Sequence, residues 1–340
     1  MGQDAKAFIC GCKGFELDAA ERAFMGEHRP WGLILFKRNV ESPDQLRRLT
    51  ASFREIVGRA DAPVLIDQEG GRVQRMGPPH WPAYPAAARF GALPLPLAER
   101  AEAVKLNARI MAADLKEVGI TVDCLPVLDV PAPGSHAIVG DRAYGADPET
   151  VAVLGRAVCE GMIEGGVLPV VKHIPGHGRA KADSHLELPR VQALRKDLEA
   201  IDFAPFKSLR DAPLGMTAHV VYEAIDDQRP GTISPRIIQE IVRAYIGFDG
   251  LLMSDDLSMK ALQGSFAERA AAVFAAGVDL ALHCNGDLSE GMPVAEASPW
   301  LAGKSLERAK RALALLEKPV EPLDLVDARR KIHLMLAAAT

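Results

Sequence analysis

Short runs of apolar residues recur along the chain, each about as long as one β-strand, and stretches of mixed polarity separate them. Continuous apolar runs of this length are typical of parallel strands that helices cover on both faces. The pattern predicts strands at Ala7–Cys10, Gly32–Phe36, Val64–Ile66, Thr121–Leu125, Leu168–Val171, Leu214–Thr217, Gly250–Met253 and Val278–Leu282.

Amphipathic helices are predicted between these runs, where apolar residues recur at spacings of three and four. Ser234 is a predicted N-cap with Pro235 at the first helical position, and Gly119 and Gly277 are predicted to end two other helices. The predicted helices are Pro43–Val57, Ala98–Val118, Ser234–Tyr245, Phe266–Ala276, Lys304–Glu317 and Leu323–Ala338.

Strands that alternate with long connections predict an α/β fold, a single (β/α)8 barrel of the TIM type. An open doubly wound sheet is the alternative, but the GxGxxG pattern that often follows its first strand is missing. Because the sequence has no composition break and no internal repeat, residues 1–340 are interpreted as one catalytic barrel domain. The C-terminal helices, at about 304–338, are expected to pack on this barrel.

Composition excludes several classes of function. The 340 residues include 40 basic and 45 acidic ones, a net charge of −5 without a basic cluster, so we expect no nucleic-acid partner. Charged residues interrupt the longest apolar runs, so no membrane span is expected. The N-terminal residues do not resemble a secretory signal, and the 5 cysteines are irregularly spaced. We therefore expect a reduced, cytoplasmic protein.

Polar residues follow several of the predicted strands. In a barrel of this type, chemistry is concentrated at the C-terminal ends of the strands, so these side chains are expected to surround one cavity. An alternative for any one of them is that it only caps a helix or binds loop amides. The residues are Asp67, Lys172, His173, His219, Asp255, Asp256 and His283.

The segment Lys172–Pro189 combines three histidines with prolines and glycines, so it cannot form a continuous helix. It is predicted to be a long mobile loop, the kind of segment that carries catalytic groups. Asp183 and His185 are two residues apart, and the carboxylate can orient the imidazole as a general acid/base.

A metal site is the alternative for this loop, because histidine and aspartate are ordinary zinc ligands. However, the two histidines at 173 and 177 are separated by proline and glycine, unlike the helical HExxH arrangement. The candidate ligands would be His173, His177, Asp183 and His185.

Two further clusters carry charge. Asp67 can accept hydrogen bonds from vicinal hydroxyls and Arg75 can donate to an acid or amide oxygen, although the two could also form a purely local ion pair. Arg142 lies in another charged turn. Of the adjacent Asp255 and Asp256, one is expected to face the cavity, while the other caps a helix or accepts from a backbone amide.

Taken together, these segments resemble glycoside hydrolase family 3, in particular its single-barrel bacterial β-N-acetylhexosaminidases. The resemblance extends from about residue 30 to 285, and its most specific part is KH-PGHG followed by DSH and LP. The matching segments are ILFKRN at 34–39, LIDQEGGRVQR at 65–75, PVLDV at 126–130, GDRAYG at 140–145, VKHIPGHG at 171–178, ADSHLELP at 182–189, TAHVVY at 217–222 and FDGLLMSDDLSM at 248–259.

The resemblance implies a role for each matching residue. Asp255 would be the nucleophile, and His185, assisted by Asp183, would be the acid/base on the mobile loop. No cofactor and no metal would be needed, and the second β-sandwich domain of larger members would be absent. The residues implied to hold the sugar are Asp67, Arg75, Arg142, Lys172 and His173.

The implied function is that of a cytoplasmic, monomeric, retaining exo-β-N-acetylglucosaminidase of cell-wall recycling. It would remove the terminal N-acetylglucosamine from (1,6-anhydro)muropeptides through a covalent glycosyl-aspartate, and its partner would be the saccharide alone. Four alternatives stay open: a phosphorylase, a broader β-glucosidase or β-hexosaminidase, a non-catalytic sugar-binding module, and a metal hydrolase.

Overall fold

The computed structural model describes residues 5–180 and 187–337. Within them, eight parallel strands form a closed barrel in which each strand pairs with its successor along the chain and the last pairs with the first. This arrangement confirms the predicted barrel. The strands are β1 Lys6–Cys10, β2 Pro30–Leu35, β3 Val64–Ile66, β4 Val122–Asp123, β5 Leu168–Ile174, β6 Leu214–Thr217, β7 Leu251–Asp256 and β8 Leu280–His283.

Alternate residues of each strand form two layers of the core, because successive strand side chains point to opposite faces. The inward residues, among them Ile9, Leu65 and Met253, fill the barrel. The outward residues, among them Phe8 and Ile66, pack under the surrounding helices. The same alternation continues past the strand ends, where it decides which polar side chains enter the barrel mouth.

Helices cover the outside of the barrel, and three short helical turns at Arg195–Asp197, Leu198–Asp202 and Ala204–Ser208 connect β5 to β6. The helix before β7 is wound as a π-helix. The longer helices are α1 Ala19–His28, α2 Pro43–Val57, α3 Leu97–Glu117, α4 Pro148–Glu164, α5 Ile237–Ile246, α6 Phe266–Ala276, α7 Leu288–Ala297, α8 Gly303–Ala314 and α9 Leu325–Ala337. Among the described residues, no helix has the length and apolar content to cross a membrane.

Capping side chains fix where the helices begin. Ser234 Oγ accepts a hydrogen bond from the backbone N–H of Ile237 at 3.1 Å, as predicted for an N-cap. Ser265 caps α6 in the same way and Glu268 completes a capping box, while Gly277 ends that helix with φ 98°. The observed bounds of α2 and α6 are those that the sequence predicts.

Strand β5 is longer than predicted. It continues through Lys172 and His173 to Ile174, whereas the sequence placed the strand end at Val171. The predicted loop therefore begins three residues later, and Lys172 and His173 are held by the barrel wall. A charged residue in a strand was not expected from an apolar pattern, because the compensating carboxylates come from other parts of the chain.

Candidate active site

A cavity of about 270 Å3 opens at the C-terminal ends of the barrel strands, where chemistry is expected in this fold. Six of the predicted site residues line it, and they come from the segment after β3, the turn at Gly140–Arg142 and the ends of β5 and β7. They are Asp67, Arg75, Arg142, Lys172, His173 and Asp255. Glu69, Arg72, His177 and Asp256 also line the cavity.

Lys172 lies at the centre of the charged wall of this cavity. Its Nζ contacts Asp67 Oδ1 at 2.9 Å and Glu69 Oε1 at 2.6 Å, and its side chain is only 2% exposed. Burial alone lowers the pKa of a lysine, but the two carboxylates outweigh burial and raise the pKa of Lys172. The ammonium therefore stays charged over the physiological pH range.

Two arginines complete the wall. Arg142 Nε and Nη2 donate to the two carboxylate oxygens of Glu69 at 2.7 and 2.8 Å, a bidentate pair. Arg75 Nη2 donates to Asp67 Oδ2 at 2.9 Å. Burial raises the pKa of Asp67, but Lys172 and Arg75 outweigh it and hold that pKa well below its usual range. Asp67 and Glu69 are therefore both ionised acceptors at neutral pH.

His173 is oriented by a buried carboxylate. Its Nδ1 lies 2.7 Å from Asp129 Oδ2, and the backbone N–H of His177 donates to Asp129 Oδ1 at 2.6 Å. The ionised carboxylate accepts a hydrogen bond from Nδ1–H, so Nε2 is the ring nitrogen left to contact a substrate. Burial lowers the pKa of His177 to about 4, so this second imidazole is neutral near pH 7.

The two adjacent aspartates at the end of β7 have different partners, as expected from their repulsion. Asp256 Oδ1 accepts from the backbone N–H of Ser258 at 3.0 Å and from that of Cys284 at 3.1 Å. Asp255 Oδ1 accepts from the N–H of Asp256 at 2.8 Å, and Asp255 follows the inward-facing Met253 in the strand alternation. Asp255 is therefore the carboxylate that β7 directs toward the barrel axis.

Two histidines expected at the cavity lie elsewhere. His219 is fully buried and does not line the cavity, and its Nε2 lies 3.1 Å from the carbonyl oxygen of Asp256. His283 contacts Glu290 at the start of α7. Its neighbours in β8 explain this, because Leu282 faces inward and the next residue must face the helices. Asp183 and His185 lie outside the described residues.

Glu69 is a site residue that the sequence analysis missed. Asp67 and Glu69 are two residues apart on either side of Gln68, where a short strand begins, so both carboxylates face the same side. Strand alternation could have identified Glu69 once Asp67 was a candidate. In the described part of the chain, no group of three or more histidine, cysteine, aspartate and glutamate side chains is arranged to hold a metal ion.

Comparison with known proteins identifies the family. The profile described as Glycosyl hydrolase family 3 N terminal domain matches residues 12–314. The chain belongs to glycosyl hydrolase family 3. A relative from Methylococcus capsulatus, named Beta-hexosaminidase, is 42% identical over 279 residues, which are 80% of each chain. Another Beta-hexosaminidase, from Pseudomonas aeruginosa, is 39% identical over 308 residues, 87% of this chain and 85% of that one.

Solved structures agree with this assignment. Native NagZ from Neisseria gonorrhoeae superposes with a TM-score of 0.85 at 29% identity, over 99% of this chain and 98% of that one. A family 3 β-N-acetylglucosaminidase from Paenibacillus also gives a TM-score of 0.85, but this chain covers only 68% of it. The family 3 chain described here is thus a glycoside hydrolase of the β-hexosaminidase type, as its sequence motifs indicate.

Proposed function

We propose that this protein is a retaining exo-β-N-acetylglucosaminidase that releases terminal N-acetylglucosamine from (1,6-anhydro)muropeptides during cell-wall recycling. The observation that carries the proposal is the cavity at the barrel mouth, where Asp255 lies together with the Asp67, Lys172 and Arg75 cluster. A small cavity with one carboxylate directed to the barrel axis suits attack on a single terminal sugar. We further propose that residues 1–340 act as one monomeric catalytic domain in the cytoplasm.

In this proposal, Asp255 attacks the anomeric carbon, and the bond between that carbon and the leaving oxygen breaks. His185, oriented by Asp183, donates its proton to the leaving oxygen, and a glycosyl-aspartate remains. Water then attacks the same carbon while His185 takes back a proton, which releases Asp255 and gives net retention of configuration. No cofactor takes part.

The charged wall is proposed to hold the sugar. The hydrogen-bonding capacity of ionised Asp67 suits vicinal hydroxyls, while Lys172, Arg142, Arg75 and His173 offer donors to hydroxyl and acetamido oxygens. A NagZ structure from Neisseria gonorrhoeae in complex with N-trifluoroacetyl-D-glucosamine supports the choice of an N-acetyl sugar; this protein is 28% identical to the present chain, with a TM-score of 0.84. The cationic side chains also suit a substrate that bears carboxylates, as peptidoglycan fragments do.

The test combines product analysis with removal of Asp255. NMR of the first product formed from an aryl β-N-acetylglucosaminide is expected to show the β-anomer of N-acetylglucosamine, and Asp255→Ala is expected to lose roughly 10⁴-fold in kcat or more. Asp61→Ala, an exposed aspartate before β3, is the matched control and should keep full activity. Initial release of the α-anomer, or full activity of Asp255→Ala, would contradict the proposal.

The same assay separates hydrolysis from phosphorolysis. With inorganic phosphate present, the hydrolase still gives free N-acetylglucosamine and its rate is unchanged. Formation of N-acetylglucosamine 1-phosphate would overturn the proposed use of water as acceptor. A muropeptide substrate then tests the proposed aglycone, because release of the terminal sugar alone distinguishes exo from endo cleavage.

A further inference from the structure

Three buried side chains form hydrogen bonds that link the backbone N–H of Asp255 to the backbone carbonyl of Asp256. Thr217 ends β6, His219 follows it, and Thr232 lies in a 3₁₀ turn at Gly231–Ile233; all three are fully buried. The backbone pairing of β6 with β7 runs from Leu214–Leu251 to Met216–Met253. Beyond that pairing, these side chains supply the hydrogen bonds next to Asp255.

The protonation of His219 follows from its partners. Its Nε2 lies 3.1 Å from the carbonyl oxygen of Asp256, and a carbonyl can only accept, so Nε2 carries a hydrogen. Burial lowers the pKa of His219, which favours the neutral ring. A neutral ring with hydrogen on Nε2 must accept at Nδ1.

The direction of every other hydrogen bond is then fixed. Thr232 Oγ1 lies 2.7 Å from His219 Nδ1 and 3.2 Å from the carbonyl oxygen of Ala218, so its single hydrogen goes to the closer, ring acceptor. The Thr217 hydroxyl donates to Thr232 Oγ1 at 2.7 Å. Thr217 Oγ1 in turn accepts from the backbone N–H of Asp255 at 3.3 Å.

The result is a ring of hydrogen bonds closed through the backbone of two residues. It runs from the Asp255 N–H through Thr217, Thr232 and His219 to the Asp256 carbonyl, with all donors pointing the same way. Such a chain is cooperative, because each bond polarises the next. Within this ring, the Asp256 N–H donates to Asp255 Oδ1 at 2.8 Å. The ring fixes the backbone of Asp255 and Asp256, and that backbone in turn orients the Asp255 carboxylate.

We propose that Thr217, Thr232 and His219 are positioning residues that hold the Asp255 carboxylate in line with the anomeric carbon. This inference rests on the proposed function, in which Asp255 is the nucleophile. A displacement of about 1 Å at a reacting group can cost about 10²-fold in rate, so the ring should affect formation of the covalent adduct more than sugar binding.

The main test exchanges the hydroxyl of Thr232 while following that adduct. Thr232→Val keeps the shape of the side chain but removes the link between Thr217 and His219, whereas Thr232→Ser keeps the hydroxyl and loses a methyl group. With a 5-fluoro-N-acetylglucosaminyl fluoride, mass spectrometry should show adduct formation slowed by roughly 10- to 100-fold in Thr232→Val. Thr232→Ser should form the adduct at nearly the wild-type rate. In both variants, KM for an aryl β-N-acetylglucosaminide should change little.

A purely structural role predicts a different pattern, in which activity follows thermal stability and Thr232→Ser is impaired as well. Thr50→Val is the matched control, because Thr50 is also buried and its hydroxyl donates to the carbonyl of Val118 at 3.0 Å, between α2 and the end of α3. That variant should lose stability without slowing the adduct. Wild-type rates in a folded Thr232→Val, or a slow Thr232→Ser, would overturn the inference.

A double variant tests whether the two threonines act through one chain. If they do, Thr217→Val with Thr232→Val should slow adduct formation no more than the slower single variant, whereas independent effects would multiply. Failure of the proposed function has a separate signature: the wild-type enzyme would then form no adduct, or would form it on a residue other than Asp255.

Discussion

Lys172 illustrates what burial demands of a single residue. An ammonium that is 2% exposed has lost most of its hydration, and it remains charged because Asp67 and Glu69 both contact it. These carboxylates are in turn held by Arg75 and Arg142. The five side chains thus form one network of ion pairs that contributes fixed charge to the cavity. Removal of one member leaves its neighbours as buried charges that lack one of their ion-pair partners.

Glu69→Gln tests this dependence. The amide keeps the size of the carboxylate but not its charge, so Arg142 and Lys172 lose a charge-assisted acceptor that holds them in place. We expect KM for an aryl β-N-acetylglucosaminide to rise roughly tenfold or more, and the free energy of unfolding to fall by about 3 kcal/mol. Steady-state kinetics and denaturant unfolding measure the two effects.

The control is Glu290→Gln, the same change at a glutamate that contacts His283 at 3.1 Å near α7. Glu290 does not line the cavity, so this variant should keep the wild-type KM. An unchanged KM in folded Glu69→Gln would show that Arg142 and Lys172 hold their positions without Glu69.

At the scale of strands and helices, hydrophobic patterning predicted the barrel because both of its core layers are apolar. All of the predicted strands are present, and α2 and α6 have their predicted bounds. The failures come from long-range effects that a local pattern does not contain. Strand β5 continues through Lys172 because carboxylates from the loop after β3 compensate its charge.

The direction in which the polar side chains point was the other feature that could not be predicted without the fold. Strand alternation alone accounts for Glu69 facing the cavity and His283 facing α7, once the inward residues of each strand are known. The position of His219 is different, because its hydrogen bonds to Thr232 and to the Asp256 carbonyl depend on a turn thirteen residues away in sequence. No local pattern indicates such a contact.

Helix α9 is linked to the loop after β3 through a chain of side-chain contacts. Arg329 of α9 pairs with Asp114 of α3 at 2.5 Å, and the Tyr84 hydroxyl donates to the same carboxylate. The backbone of Tyr84 holds the loop after β3, since its carbonyl accepts from Gly71 N–H at 2.9 Å and its N–H donates to Gln74. The loop that carries Asp67 and Glu69 is thus connected to the C-terminal helix.

Tyr84→Phe should loosen this connection. Asp114 then stays buried with one hydrogen bond fewer, so we expect a loss of about 1–3 kcal/mol in unfolding free energy and a higher KM, because the cavity wall is less rigid. Denaturant unfolding and steady-state kinetics provide the measurement. Tyr245→Phe, the same change on a partly exposed ring under Lys207, is the control and should change neither value appreciably. If Tyr84→Phe has the wild-type KM, then the hydrogen bond from Tyr84 to Asp114 contributes to stability but not to substrate binding.

At the scale of the whole molecule, two buried titratable groups, His177 and Asp202, change the free energy of unfolding in opposite directions as pH falls. Burial lowers the pKa of His177 to about 4, so as pH falls from about 6.5 toward 4 the unfolded chain binds a proton that the folded chain does not, and the free energy of unfolding falls. Asp202 behaves in the opposite way. Burial raises its pKa from 3.8 to about 6, even though Arg179 Nε contacts its Oδ2 at 2.6 Å.

A carboxyl with a raised pKa favours folding at low pH. Its contribution is fully present below the unfolded pKa, near 3.8, and is lost as pH rises through about 6. Between pH 7 and pH 5, Asp202 therefore adds about 1 kcal/mol to the unfolding free energy, which partly offsets the effect of His177. Asp202→Asn removes this contribution, so the variant should lose about 1 kcal/mol more than the wild type when the pH changes from 7 to 5.

Denaturant unfolding at the two pH values measures this difference directly, because only the change with pH matters and the loss of the Arg179 contact largely cancels. Asp227→Asn, the same change at an exposed aspartate, should keep the wild-type response. If Asp202→Asn and the wild type respond equally to pH, then Asp202 is ionised at pH 5 and Arg179 outweighs its burial. The size of the difference therefore decides whether burial or the contact with Arg179 controls the ionisation of Asp202.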